Sequence, residues 1–388
     1  MYLTSQEESI YEGEYGWAYQ VAIKILVRLG ELFGATRLIP IRSAHVSGVS
    51  YKTLGEAPID FFEALLEAGA RAKVPTTANP SSFDPEYLAS MFPDELMEGQ
   101  SRIIGLYRNM GISPTLTCTP YYIHKPQSEW HLAWAESSAS IYANSVLRAW
   151  TNRDGAPSAL AAALIGKTPN YGLHQPENRE AEVLIKVKPA LKNKVEVGAL
   201  GIHVGKLLKD EVPLLEGLYN PTGDQLKQLG AGLATSGMTP MFHYQEQREK
   251  RNLETITVEK EDIENTIQSL STTSEPPDLA FIGCPHCSAT EIEEVAQALE
   301  GKKLQKETEL WVCTSSYVKK MAQKYVEVIE NAGGHVLCDT CAVVTWIKRL
   351  GFGTLMTNSA KTAYYAPTFN GVDATLAPLE TMLKQVTS

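Results

Sequence analysis

The sequence predicts an α/β protein built on parallel sheets, and three observations lead there. From Leu279 onward, short apolar runs alternate with longer stretches of helical period. Strand–helix–strand alternation of this kind places helices on both faces of a parallel sheet. The chain has 388 residues of which 44% are hydrophobic, enough to bury more than one core. No internal repeat, low-complexity tract or long charge block suggests a solenoid or a disordered tail.

The elements follow in order. Trp17, Val21, Ile25 and Leu29, with Ala18, Ala22 and Leu26, predict an amphipathic helix over Tyr15 to Phe33. Leu38 to Ile41 reads as a buried strand, Ile59 to Ala68 as a helix stopped by Gly69, and Ala72 to Thr77 as a strand. Helices are expected over Pro85 to Met110, then a strand from Ser113 to Thr117 that ends at Cys118. Ala133 to Val146 and Pro157 to Ile165 read as helices, the second opening with proline in its first turn. Ala181 to Val187 is a predicted strand, Asp224 to Ala234 a helix ended near Gly237, Leu253 to Val258 a strand and Glu261 to Leu270 a helix.

Ser271 to Asp278, with its Pro276-Pro277 pair, is the expected linker. It divides the chain into a region 1–270, holding Cys118 and the polar loops, and a region 279–388, holding Cys284 and Cys341. Beyond the linker come the strand Leu279 to Gly283, a helix opened by the Ser288/Glu291 capping box, the strand Glu309 to Cys313 and the helix Tyr317 to Ala332. Strands His335 to Cys338 and Thr354 to Thr357 complete the pattern.

A net charge of −10 argues against a nucleic-acid partner or an anionic membrane, while a few local Arg and Lys residues still suffice to bind a small anion. Met1 to Glu14 is polar and acidic, without the basic and apolar regions of a secretory signal, and no apolar run is long enough to span a bilayer. A cytoplasmic protein is expected. In a reducing compartment the six cysteines are then buried hydrophobes, metal ligands or redox groups.

In open α/β sheets ligands bind beyond the carboxyl ends of the strands. Cys118 follows Thr115-Leu116-Thr117, Cys284 follows Phe281-Ile282-Gly283, and Cys341 lies just past His335 to Leu337. Three thiolates from such loops can hold an iron–sulfur cluster with one iron open as a Lewis acid for a departing hydroxyl. Cys313 and Cys338 lie within strands and read as packing, while Cys287 falls at a helix N-terminus, where a thiolate is favoured. Two rival constellations stay open. Cys284-Pro285-His286-Cys287 between strand and helix has the layout of a thiol–disulfide oxidoreductase, and the pairs 284/287 and 338/341 could hold structural zinc. Neither uses Cys118.

The chain resembles the aconitase X family along nearly its whole length. The matching segments include Arg37-Leu-Ile-Pro-Ile-Arg42, Gly48-Val-Ser-Tyr-Lys52, Thr117-Cys-Thr-Pro-Tyr121 and Trp134-Ala-Glu-Ser-Ser138. They continue with Ala143-Asn-Ser-Val146, Thr151-Asn-Arg153, Gly166-Lys-Thr-Pro-Asn-Tyr-Gly-Leu-His174, Gly283-Cys-Pro-His286, Asp339-Thr-Cys341 and Thr357-Asn-Ser-Ala-Lys361. The resemblance implies an aconitase-like multi-domain α/β/α architecture with parallel sheets, lacking the swivelling domain, which a separately encoded small subunit supplies. It implies an iron–sulfur cluster, 4Fe–4S before 3Fe–4S or 2Fe–2S, on Cys118, Cys284 and Cys341, with His286 hydrogen-bonding nearby.

The implied activity is dehydration of a small hydroxy acid. Mevalonate 5-phosphate is the favoured substrate and cis-3-hydroxy-L-proline the alternative; thiol–disulfide exchange is the reading from another class. An iron-sensing RNA-binding role is disfavoured by the acidic charge. The residues implied to line the substrate are Gly48, Val49, Ser50, Lys52, Asn79, Glu136, Ser137, Ser138, Asn144, Ser145, Arg153, Ser359 and Lys361. Lys52 and Arg153 suit carboxylate or phosphate. Ser137, Ser138, Asn144 and Ser145 share one helix face, and His45 is a further lining residue. The catalytic base is expected on the small subunit, so this chain alone is expected to be inactive. The sequence departs from the family pattern at Arg148-Ala149-Trp150 in place of Gly-Ala-Arg, and at Asn79-Pro80-Ser81-Ser82 in place of Asn-Pro-Ala-Gly. It departs again in Tyr244 to Leu253, which lacks Gly-x-Thr-Pro-Glu.

Overall fold

The structure, a computed structural model, describes residues 1–244 and 253–387. The chain forms two compact units, Met1–Ser82 with Phe92–Glu180, and Phe83–Met91 with Ala181–Ser388.

In the first unit, helix α1 (Ser5–Glu12) opens with a capping box in which Glu7 accepts from the Thr4 N–H at 2.7 Å. Helix α2 (Trp17–Leu32) buries Ala18, Ala22, Leu26, Ile23 and Val27. Its Trp17 edge stays 46% exposed, so the buried stripe lies to one side of the predicted one. Strands β1 (Leu38–Pro40) and β5 (Lys167–Pro169) pair antiparallel. A second sheet is parallel, in the order β3-β2-β4, from β2 (Ser43–Val46), β3 (Thr76–Ala78) and β4 (Leu132–Trp134). Single parallel bridges, Thr77 to Ser113 and Trp134 to Arg153, extend it at each edge. Helices α3 (Tyr51–Leu54), α4 (Ala57–Glu67), α5 (Asp94–Asn109), α6 (Ser137–Ser145) and α7 (Ala156–Ile165) complete the unit. All of α7 from Ser158 onward is buried, packed against α2 and β2, because its alanines let the backbones approach.

The second unit holds two wholly parallel sheets. Strands β6 (Val183–Val187), β7 (Pro213–Glu216), β8 (His243–Tyr244) and β9 (Glu254–Val258) run in the order β8-β7-β6-β9, and between them in the chain α8 (Lys194–Leu207) packs on α9 (Gly223–Ser236) and on α10 (Lys260–Leu270), which follows β9. Helices α8 and α9 touch backbone to backbone: a Cβ at Gly201 would collide with the Leu229 carbonyl, and one at Gly232 with the Gly198 carbonyl.

The other sheet has the order β12-β11-β10-β13-β14, from β10 (Leu279–Ile282), β11 (Glu309–Thr314), β12 (His335–Cys338), β13 (Thr354–Thr357) and β14 (Asp373–Leu376). All four β10 residues are buried, as for a central strand covered on both faces. Around it lie α11 (Ala289–Leu299), α12 (Ser316–Met321), α13 (Gln323–Asn331), α14 (Ala360–Tyr365) and α15 (Leu379–Val386). The segment Phe83–Met91 belongs to this unit because Asp84 accepts from the Cys338 N–H at 2.5 Å and Tyr87 stacks on His335 at 4.0 Å.

Several predicted elements are corrected. Ser113 to Thr117 is not a strand: Pro114 offers no N–H, Leu116 has φ of 46°, and one bridge at Ser113 remains. Ala133 and Trp134 belong to β4 rather than a helix, which begins only after Glu136 caps it. Extended pairing near Ala72 to Thr77 is confined to Thr76–Ala78, and regular helix in 85–110 starts at Asp94. The helix expected over Tyr317 to Ala332 breaks at Ala322 into α12 and α13. Strands β2 and β7 and helix α8 had no clear sequence signal. The departure in Tyr244 to Leu253 falls mainly on residues 245–252, outside the described residues.

Candidate active site

In the first unit the parallel strands all point one way, so the loops beyond β2, β3 and β4 gather at one end of the sheet. Those loops carry Gly48 to Lys52, Asn79 to Ser82, and Glu136 to Ser138. The edge segments bring Cys118 and Arg153 to the same end, through Thr117 N–H to the Ala78 carbonyl at 3.0 Å and Asp154 N–H to the Trp134 carbonyl at 3.2 Å.

The Gly48 to Lys52 loop is clamped from below. Ser82 meets the Ser50 hydroxyl at 2.9 Å and accepts from the Lys52 N–H at 3.0 Å. Gln100 donates to the Val49 carbonyl at 2.9 Å and accepts from the N–H groups of Tyr51 and Ser82 at 3.0 and 2.8 Å. Tyr107 donates to the Gly48 carbonyl at 3.0 Å, and Gly48 itself has φ of 75°, which favours glycine. The departure Ser81-Ser82 is thus structural in part: the Ser82 hydroxyl joins two loops. Lys52 is half-buried at the first turn of α3.

His45 is fully buried in β2, with Thr77 Oγ1 at 2.7 Å and Asn79 Oδ1 at 3.4 Å from its two ring nitrogens. Burial pushes its imidazole down to about 4, against the opposite pull of Glu136 and the Asn79 hydrogen bond. It is therefore neutral at pH 7 and orients Asn79.

Glu136 is buried and caps α6, accepting from Ala139 N–H and the Ser138 hydroxyl, each at 2.6 Å. Asn144 is buried too. Its amide exchanges hydrogen bonds with Thr151 at 2.8 and 3.0 Å and accepts from Arg179 at 3.1 Å. Ser137 and Ser145 are half-buried and Arg153 is exposed. The expected polar face is thus divided, with Ser138 and Asn144 engaged inside the unit. The departure at position 150 is explained by packing: Trp150 lies under Arg179 at 4.8 Å and edge-on to His131 at 5.4 Å, while Arg148 points outward with φ of 59°.

Asp154, absent from the sequence reading, is fully buried beside Arg153. Its Oδ1 accepts from Ser158 at 3.1 Å and its Oδ2 has no partner among the described residues. Burial pushes this carboxyl up to about 7, only partly offset by the Ser158 hydroxyl. An Asn-Arg-Asp-Gly run at a helix start was the available signal.

In the second unit Cys284 follows β10 and Cys341 follows β12, both buried and neither in a disulfide. Gly283 has φ of 122° and lies so close to Cys313 that a Cβ would strike its carbonyl. His286 places Nε2 at 2.9 Å from the Thr340 carbonyl, so the Cys284 loop is joined to the residue preceding Cys341. On the other side Ser359 donates to the Cys284 carbonyl and caps α14, accepting from the Thr362 N–H at 3.2 Å. Lys361 is half-buried in the first turn of that helix.

Behind the Cys284 loop lies a buried ion network. Lys227, on α9 and 1% exposed, donates to the His286 carbonyl at 3.0 Å, pairs with Glu291 and reaches Asp224 at 3.3 Å. Lys194 adds contacts to Glu291 at 3.3 Å and Glu294 at 2.6 Å. Burial alone would raise the Asp224 carboxyl, but Lys227, Lys194 and Ser288 outweigh it and hold it below its usual range.

The remaining thiols behave differently from the expectation at Cys287. Its thiol is pushed well up by burial and by Glu291, so the helix N-terminus does not yield a thiolate there. A raised thiol disfavours Cys287 as a thiolate nucleophile. Cys313 and Cys338 are buried in β11 and β12, and burial likewise raises both, Cys338 to about 12. Among the described residues no group of three or more His, Cys, Asp or Glu side chains stands ready to hold a metal ion. The donor chemistry nonetheless suits iron–sulfur ligation. Cys284 and Cys341 are buried thiols outside any disulfide, on strand-end loops joined through His286, and Cys118 is a further buried thiol in the first unit. No helix among the described residues is long and apolar enough to cross a membrane.

Comparison with known proteins matches residues 1–177 to the aconitase X first domain, 181–268 to its second domain and 277–388 to its third. The phosphomevalonate dehydratase large subunits of Methanocaldococcus jannaschii and Thermococcus kodakarensis are 43% and 44% identical, each over 99% of this chain and 100% of the relative. A cis-3-hydroxy-L-proline dehydratase of Pseudomonas aeruginosa is 33% identical over 97% of this chain and 68% of its own length. The crystal structure of Thermococcus kodakaraensis aconitase X in its holo form superposes with a TM-score of 0.94 at 43% identity, covering 100% of both chains. The mixed α/β architecture with parallel sheets, the domain matches and the full-length relatives agree, and the chain belongs to the aconitase X family.

Proposed function

We propose that this chain is the large subunit of a cytoplasmic dehydratase that removes water from mevalonate 5-phosphate and works with a separate small subunit. The observation that carries this reading is the 43–44% identity, end to end, with phosphomevalonate dehydratase large subunits. The hydroxyproline dehydratases are more distant at 33% and extend well beyond the length this chain spans.

In this reading Cys118, Cys284 and Cys341 are the residues that would hold an iron–sulfur cluster, 4Fe–4S, which would supply Lewis-acid chemistry for a departing hydroxyl. The chain's own residues bind and orient the substrate. Lys52 and Arg153 attract its phosphate and carboxylate, and Ser137, Ser145 and Lys361 add donors from half-buried positions. Gly48, Val49 and Ser50 form a wall whose shape Ser82 and Gln100 fix before substrate arrives. Glu136, Ser138 and Asn144 act through α6, and neutral His45 acts through Asn79. Ser359 holds the Cys284 carbonyl. The proton-accepting base comes from the small subunit.

The test is an anaerobic assay of the reconstituted chain, with and without its small subunit, against mevalonate 5-phosphate and cis-3-hydroxy-L-proline. Turnover of the phosphate ester only by the pair is the expected result. Preferential turnover of hydroxyproline, or full activity of the large chain alone, would overturn the assignment.

A further inference from the structure

We propose that Lys227 is a positioning residue that holds the Cys284 loop in its ligating shape before any cluster is bound. This deepens the reading of Cys284 as a ligand and rests on it.

A lysine that is 1% exposed demands an explanation, because a buried ammonium is costly unless compensated. Compensation is present: Glu291 and Asp224 both contact its Nζ. Ion pairing does not account for the third contact, however. The same Nζ donates at 3.0 Å to the carbonyl of His286, a loop residue two positions beyond Cys284. Further hydrogen bonds hold that loop through its backbone or through His286. Ser359 donates to the Cys284 carbonyl, Cys287 N–H donates to the Cys313 carbonyl at 2.9 Å, and Thr314 donates to the Cys287 carbonyl at 2.7 Å. The His286 ring reaches the Thr340 carbonyl at 2.9 Å.

The carbonyls of Cys284, His286 and Cys287 thus accept from Ser359, Lys227 and Thr314 in turn, and the donor on His286 is a cation. A charged donor makes the stronger bond, and its removal leaves a buried carbonyl without it. Lys227 comes from α9, whereas the loop lies between β10 and α11. Glu291 completes the device: it pairs with Lys227 and, through the capping box, accepts from the Ser288 N–H at 3.0 Å at the start of α11. One buried cation therefore sets both the loop's middle and the helix that ends it.

The experiment uses the full chain without cluster and follows iodoacetamide alkylation of each cysteine by mass spectrometry, with Cys118 as internal reference. Lys227→Met removes the donor, leaves the Glu291 and Asp224 carboxylates with one cation fewer, and lowers stability. Lys227→Met/Glu291→Gln relieves that charge, so its melting temperature recovers while the His286 carbonyl still lacks its donor. In both variants Cys284 is expected to alkylate roughly tenfold faster or more relative to Cys118, the local opening expected on losing a charged hydrogen bond. After anaerobic reconstitution both are expected to show weakened visible absorption and less iron per chain.

Wild-type labelling of Cys284 in the double variant would overturn the proposal, and so would a labelling change that disappears when stability is restored. If the wild-type chain, reconstituted the same way, takes up no iron, the ligand reading fails, while the alkylation ratio still decides whether Lys227 positions the loop.

Discussion

Replacing Gly283 with alanine tests the geometry on which the Cys284 loop depends. The residue has φ of 122°, a conformation that L side chains rarely adopt, and its missing Cβ would strike the Cys313 carbonyl. Holding a non-glycine residue in such a region costs about 1–3 kcal/mol, and forcing an extra carbon into a packed core adds about 1–3 kcal/mol. The sum is about 2–6 kcal/mol. With an unfolding entropy of about 2 cal/mol/K per residue over a unit of about 200 residues, that lowers its melting temperature by roughly 5–15 °C. Gly301→Ala is the control, since Gly301 also has positive φ, 74°, but has nothing within 4 Å of a new Cβ. Differential scanning calorimetry of the cluster-free chain should give a large fall for the first variant and a small one for the second. Equal melting of Gly283→Ala and wild type would refute the close approach of β10 and β11 at this point.

Further outcomes follow from the same contacts. Asn144→Ala deletes three side-chain hydrogen bonds in the buried joint between α6, Thr151 and Arg179, and should cost about 2–4 kcal/mol by denaturant titration. His45 has a folded value of about 4 against 6.5 for the free side chain. Its contribution is therefore complete above pH 6.5 and is lost as pH falls toward 4, roughly 3 kcal/mol in all. His45→Gln should flatten that part of the stability–pH curve, and an unchanged curve would refute a buried neutral imidazole. Cys284→Ser and Cys341→Ser should abolish iron uptake on reconstitution, whereas Cys313→Ser should leave it intact apart from a stability loss. Ser82→Ala removes the Ser82 contacts to the Ser50 hydroxyl and the Lys52 N–H, and should raise KM for substrate more than it lowers kcat.

The fold class was legible because periodicity is local. The alternation from Leu279 to Thr357 reports a parallel sheet whichever residues it later touches, and β10, β11, β12 and β13 all lie where the apolar runs predicted. The capping box at Ser288 and Glu291 was readable for the same reason, being one short motif. Strand ends were readable wherever strands were, and Cys284 and Cys341 lie just beyond two of them. Two strands of the first unit failed: the four residues of β2 include the polar Ser43 and His45 and so form no apolar run, and Trp134 at the end of β4 merged with the helix behind it.

Identity of side-chain partners was not legible. The sequence by itself determined the alternating architecture, the family and the strand-end cysteines, because these depend on local pattern and residue type. Only the tertiary structure decided that Glu136 caps a helix, that Asn144 locks Thr151, and that Lys227 is buried against the His286 carbonyl. Lysine on a predicted helix reads as solvated. Its burial follows from Glu291, 64 residues away in sequence, and from glycines that draw α8 and α9 together. Such compensation is set by distances in space, and no spacing along the chain encodes it.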